Sequence, residues 1–176
     1  SVSNLLTDVE VSLITCYPGS RNYELYGHTM IRVKLADQDL LFNYGIFNFK
    51  KSGFVYRFVK GDCDYMLAAY PYKYLTDGYE GRRIVEQVLN LDDAQKLDIV
   101  GYLWENAKPE NATYRYGWAY NNCATKPRDI IEGAVGGIVE YAEPKRPNAT
   151  FRDIMSHFTV NYPWQQFGLD LILGSE

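Results

Sequence analysis

The chain has 176 residues, 47% of them hydrophobic, and a net charge of -4, which is enough for a substantial core and reads as a single domain over residues 1–176. Lys and Arg are scattered without forming a basic stripe, so nucleic acid is excluded as an expected partner. No apolar run reaches the roughly 20 residues that span a bilayer and no signal peptide leads the sequence, so it reads as soluble material. Cys16, Cys63 and Cys123 show neither CxxC nor Cys/His metal spacing, so no metal and no cofactor is expected. In an oxidising compartment Cys16 and Cys63 pair and leave Cys123 free on one reading; on the other all three are free thiols.

Glu10–Cys16 alternates as a first strand and stops at the turn formers Pro18-Gly19-Ser20. In Tyr26-Gly27-His28-Thr29-Met30-Ile31-Arg32-Val33 the branched residues again alternate with longer ones, so His28 stands on a strand. Asp37-Gln38-Asp39 is a polar break before Leu40-Leu41-Phe42-Asn43-Tyr44. The two runs therefore read as a hairpin that brings Asn43 near His28. Gly53–Gly61 is aromatic and too short to assign; Asp64–Tyr70 is a strand closed by Pro71. Tyr70, Tyr72, Tyr74 and Tyr79 crowd a loop-like span, placed to line an acyl-chain channel or to fill a core.

Arg82–Leu89 predicts a strand. Asn90–Leu97 then opens a helix with acidic residues in its first turn, packing Leu97, Val100, Leu103 and Trp104 on one face and ending before Pro109. Tyr114–Tyr120 is an aromatic approach to Asn121-Asn122-Cys123-Ala124-Thr125-Lys126-Pro127. There a helix is predicted with Asn122 as cap, Cys123 in its first turn and Ile130-Ile131 on its buried face. Gly136-Gly137 breaks it, Ile138–Tyr141 predicts a short strand, and Thr150 with Asp153 forms a capping box for a helix through His157. A final helix, Trp164–Leu173, carries Phe167, Leu171 and Ile172 on its apolar side.

A thiol at a helix start faces backbone N–H groups without intrahelical partners, and the dipole there favours the thiolate. Of the two histidines, His28 is the expected base and His157 the structural one; Asn43 is the candidate orienter of the His28 ring, or else merely caps the loop at Gly45. Asn122, Tyr26 and Tyr120 are candidates for holding an oxyanion or substrate, with packing the competing role for the tyrosines. A buried, inert Cys123 is the competing reading for the thiol.

Four segments carry a resemblance: Glu24-Leu25-Tyr26-Gly27-His28-Thr29, Phe42-Asn43-Tyr44-Gly45, Tyr114-Arg115-Tyr116 and Asn122–Asp129. Together, in this order, they resemble the Lnb N-terminal periplasmic domain family, named after a bacterial lipoprotein N-acyltransferase, over about Val11 to Gly174. The elements alone sum to an α+β domain. The resemblance implies more: a circularly permuted NlpC/P60 (papain-like) fold, with an antiparallel sheet packed against a helix that carries the cysteine at its N-terminus. It also implies a periplasmic or cell-envelope location, with the signal and any membrane-anchoring segments outside this chain.

The activity that follows is thiol-dependent acyl transfer from a lipid acyl donor to the N-terminal amine of a lipoprotein, through a Cys123 thioester. A cysteine peptidase or amidase acting on a cell-wall peptide would use the same pair with water as acceptor. From a different class, a non-catalytic envelope binding module would carry Cys123 as an inert thiol.

Overall fold

The computed structural model describes residues 9–20, 24–46, 64–115, 117, 120–137, 139–143 and 146–173. Six strands build one antiparallel sheet: β1 (Glu10–Cys16), β2 (His28–Leu35), β3 (Gln38–Ile46), β4 (Asp64–Pro71), β5 (Ile84–Val88) and β6 (Thr113–Arg115). Their spatial order is β5-β1-β2-β3-β4-β6. Among the described residues the helices are α1 (Leu75–Tyr79), α2 (Asp93–Asn106), α3 (Thr125–Ala134), α4 (Phe151–Thr159) and α5 (Pro163–Leu173). The domain is α+β.

Strand alternation divides the apolar residues between two faces. Val11 of β1, Ile31 and Val33 of β2, Phe42 and Tyr44 of β3 and Leu67 of β4 share one face, where Ile99 and Leu103 of α2 and Ile130 of α3 close over them. Ile14, Cys16, Met30 and Leu41 share the other, covered by Leu75 and the partly buried Tyr70, Tyr72 and Tyr79. The expected loop Tyr70–Tyr79 is thus structured: a 3-10 turn at Tyr72–Tyr74 runs into α1, and Leu75, 3% exposed, is the plug. Arg32 crosses this face, forming ion pairs with Asp39 at 2.7 Å and Glu86 at 2.8 Å, with its guanidinium 3.7 Å from the Tyr72 ring centre.

Two of the helices start on reciprocal capping boxes. Asp92 caps α2 in a reciprocal box with Gln95, and Thr150 does so for α4 with Asp153. Which faces they bury was less readable. In α2 the core takes Ile99 and Leu103, with Val100 partly buried against it and the Trp104 ring 5.0 Å from that of Phe42, while Leu97 stays exposed. In α5 Leu169 is buried and Phe167 exposed, while the side chains of Leu171 and Ile172 lie outside the described residues. Residues 139–141 form no strand, and Gly53–Gly61 and Cys63 lie outside the described residues.

The β2–β3 turn holds Ala36 at φ 49°, a left-handed conformation in which a Cβ costs about 1–2 kcal/mol. Replacing Ala36 by Gly removes that cost but adds unfolded-chain entropy, for an expected net gain of about 0.5 kcal/mol. Urea unfolding of Ala36→Gly against the parent, at unchanged m-value, measures it.

Candidate functional site

The β2–β3 register pairs Ile31 with Phe42. Continued toward the open end of the hairpin, it sets Met30 against Asn43 and His28 against Gly45. Asn43 is therefore a diagonal neighbour of His28 on the same face, within reach of a ring. The reach is used: His28 Nε2 and Asn43 Oδ1 are 2.6 Å apart. Asn43 is 7% exposed, and its amide N–H donates to the Tyr70 hydroxyl at 3.0 Å. The Tyr79 ring stacks on the imidazole with centroids 6.0 Å apart and planes 16° from parallel.

Cys123 arrives from the helical layer. A turn is built just before it: Asn122 Oδ1 accepts from the Ala124 and Thr125 N–H groups at 2.9 and 3.0 Å, and the Asn122 N–H donates to Thr125 Oγ1 at 2.8 Å. The Lys126 N–H closes onto the Asn122 carbonyl at 3.0 Å. These bonds close a turn rather than cap the helix: the helix proper begins at Thr125 with Ala124 as its N-cap and no side-chain cap bond, so Asn122 is not the helix cap expected and Cys123 lies in the turn ahead of α3. Because the Asn122 oxygen already occupies the Ala124 and Thr125 donors, those two N–H groups are not open to an oxyanion.

The two layers meet at Gly45. Its φ is +100°, and a Cβ placed there would stand 3.4 Å from Cys123 Cβ and 3.8 Å from His28 Cε1. Cysteine and imidazole thus flank the same side-chain-free point, no further apart at those atoms than the sum of the two distances.

A family model described as the Lnb N-terminal periplasmic domain matches residues 2–157. The chain belongs to that family. Its Lnb-type domain is periplasmic, and among the described residues no helix is long and apolar enough to cross a membrane. No curated protein and no solved structure gives a match.

Electrostatically, the Lnb-type site differs from the sequence-based expectation of a stabilised thiolate. Burial raises the Cys123 pKa above its ordinary 9.0, against the pull of the Thr29 and Cys123 N–H groups. Burial likewise lowers His28 below 6.5, helped by the positive Arg82 and opposed by the hydrogen bond with Asn43. The groups around His28 are Cys16, its cross-strand partner, Asn43, Tyr79, Arg82 and Cys123. Near neutral pH the pair is therefore an uncharged thiol beside an uncharged imidazole, suited to general-base rather than ion-pair activation.

The remaining sequence candidates separate. Tyr26 is half-buried and packs edge-on against Phe158 of α4 with centroids 6.0 Å apart. Tyr120 is 87% exposed beyond the Gly117–Asn121 bridge. A hydroxyl that sequence reasoning did not single out belongs here instead: that of Tyr114 of β6, a buried atom without a hydrogen-bond partner among the described residues. Its phenol pKa is raised by burial and then by the negative charge of an ionised Cys123. Tyr70 and Tyr79, read from sequence as channel or core aromatics, support the histidine. Cys16 is a free thiol, 0% exposed and pushed up to about 11 by burial. His157, exposed at the end of α4, has its Nδ1 3.3 Å from an Arg146 guanidinium nitrogen.

Three outcomes follow from this geometry. Iodoacetamide labelling of Cys123 rises continuously past pH 9 and shows no plateau between about pH 5 and 8, whereas an ion pair would give one. Because His28 holds its proton less tightly when folded than its ordinary 6.5, its contribution to stability is complete above that value and declines as the pH falls below it. Urea titrations of the parent and of His28→Gln, at about pH 7.5 and 5, read the difference: the parent loses more stability on acidification. Gly45→Ala tests the meeting point, with about 1–3 kcal/mol of backbone strain expected at that φ and slower Cys123 labelling.

Proposed function

We propose that this periplasmic domain is a cysteine acyltransferase of the envelope, moving an acyl chain from a lipid to the N-terminal amine of a lipoprotein. The observation that carries the reading is the convergence of Cys123 and His28 on Gly45, with His28 held by Asn43 at 2.6 Å. The order of the parts also supports it: the histidine strand precedes the cysteine, as in circularly permuted NlpC/P60 papain-like domains.

With its Nε2–H donated to Asn43, the neutral His28 ring keeps Nδ1 unprotonated and able to take the Cys123 proton. The sulfur attacks the ester carbonyl of the acyl donor and forms a C–S bond. The resulting oxyanion collapses, the C–O bond breaks, and His28 returns the proton to the leaving alkoxide. The thioester left on Cys123 is then attacked by the lipoprotein amine. His28 takes the amine proton and returns it to the sulfur as the C–S bond breaks. Tyr114 supplies an oxyanion donor, since its buried hydroxyl has no acceptor among the described residues.

The test is mass spectrometry of the domain incubated with phospholipid. A mass gain of one acyl group on Cys123, discharged by a lipopeptide amine to give an N-acyl product, is the expected result. Discharge only to water assigns a hydrolase, and no adduct in the wild type or in a variant slowed at discharge removes the acyl-enzyme. His28→Ala and Cys123→Ala abolish adduct formation, and Tyr114→Phe slows it by about a hundredfold, the usual cost of one oxyanion donor.

A further inference from the structure

We propose that Tyr70, backed by Met30, is a positioning residue that sets which nitrogen of His28 carries the proton, by fixing the rotation of the Asn43 amide; this rests on His28 being the base for Cys123.

An asparagine side chain presents oxygen or nitrogen to a neighbour depending on a half-turn of its amide, and the neighbouring histidine tautomer follows that choice. If Asn43 Oδ1 faces the ring, Nε2 must hold the proton and Nδ1 is free to accept one. If Asn43 Nδ2 faces the ring, Nε2 must accept, the proton sits on Nδ1, and no base remains on that nitrogen.

The chain of contacts behind Asn43 has only one direction. The Tyr70 hydroxyl lies 3.5 Å from Met30 Sδ and 3.0 Å from Asn43 Nδ2. A thioether sulfur can only accept, and a phenol has one proton to give. Once that proton goes to Met30, the Tyr70 oxygen can only accept from Asn43. The amide nitrogen therefore points to Tyr70 and the amide oxygen to His28, as observed at 2.6 Å. The flipped amide would need Tyr70 to donate to Asn43, leaving Met30 Sδ, 0% exposed, without its donor. Met30 is held opposite Asn43 by the β2–β3 register, so the strand pairing that brings Asn43 to His28 also brings the acceptor that orients it.

The experiment is nitrogen NMR of 15N-histidine-labelled protein above pH 7, where the ring is neutral. His28→Gln assigns the two histidine signals. In the parent, His28 shows protonated Nε2 and unprotonated Nδ1. Tyr70→Phe mixes the tautomers, with more proton density on Nδ1, and acylation of Cys123 by p-nitrophenyl butyrate slows about tenfold, part of the effect of a positioned base. Met30→Leu shifts the tautomer in the same direction by less.

Asn43→Asp in the Tyr70→Phe background restores the Nε2–H form, because both carboxylate oxygens only accept and a half-turn changes nothing. A merely structural role for Tyr70 would give no such rescue. Protonated Nδ1 in the parent, or parent-like tautomer and rate in a folded Tyr70→Phe, overturns the proposal. If Tyr70→Phe does not fold, the Met30→Leu tautomer decides in its place, an unchanged one counting against the proposal. Acylation that survives in His28→Ala defeats the base assignment separately, while the tautomer readout still judges the orienting chain.

Discussion

The site depends on one hydrogen bond, from the His28 ring to Asn43 at 2.6 Å. A neutral imidazole has a donor and an acceptor nitrogen, and only a fixed partner on one decides what the other can do. That partner is delivered by strand pairing rather than by a loop, on a β-hairpin whose apolar residues are buried on both faces of the sheet. A slip of one residue would turn Asn43 and Leu41 to the helical side of the sheet and Phe42 away from it, so core burial and site geometry enforce the same register.

Burial that holds the histidine still also removes water from its neighbours. Desolvation is the leading cause of the shifts at both His28 and Cys123, and it pushes them toward their uncharged forms. The favourable start-of-helix field expected from the sequence is weakened further because Asn122 takes the Ala124 and Thr125 N–H groups for itself. The same Asn122 bonds are what pin the turn in which Cys123 sits, so rigidity of the thiol is obtained at the expense of open anion donors. The Tyr114 hydroxyl, unpartnered among the described residues, lies on the neighbouring strand β6.

How much of this was legible in the sequence can be judged residue by residue. Period-2 patterns and a polar break were enough to place His28 and Asn43 on one hairpin, since hairpin register is a local property. The Thr150–Asp153 capping box was legible for the same reason. The placement of Cys123 one turn outside α3 turns on whether Asn122 bonds start a helix or a preceding turn, a difference of two residues at an element boundary. Tyr70 and Tyr79 were not legible as supports for the histidine, because aromatic residues at close spacing fit a channel, a rim or a core equally well. Tyr114 reaches the site by pairing β6 with β4, a contact across about fifty residues that no local pattern encodes. Phe167 matches the apolar face of a helix by spacing, yet it is exposed while Leu169 is buried; periodicity identifies a face but not the neighbour that covers it.

Three layers contribute: α3 and its leading turn supply the sulfur, the sheet supplies imidazole and amide, and the cover formed by α1 and its flanks supplies the Tyr79 ring that stacks on the imidazole. The first and third layers pack on opposite faces of the sheet, on separate core clusters, and the cysteine meets the imidazole at Gly45, within β3. Any side chain at that point would stand between them and demand an unfavourable backbone besides. Loosening either cluster moves one partner relative to the other two without touching the chemistry directly. Core substitutions on the helical face act on the thiol position, and substitutions around Leu75 act on the imidazole support, so losses of activity from the two faces are mechanistically different even at equal losses of stability.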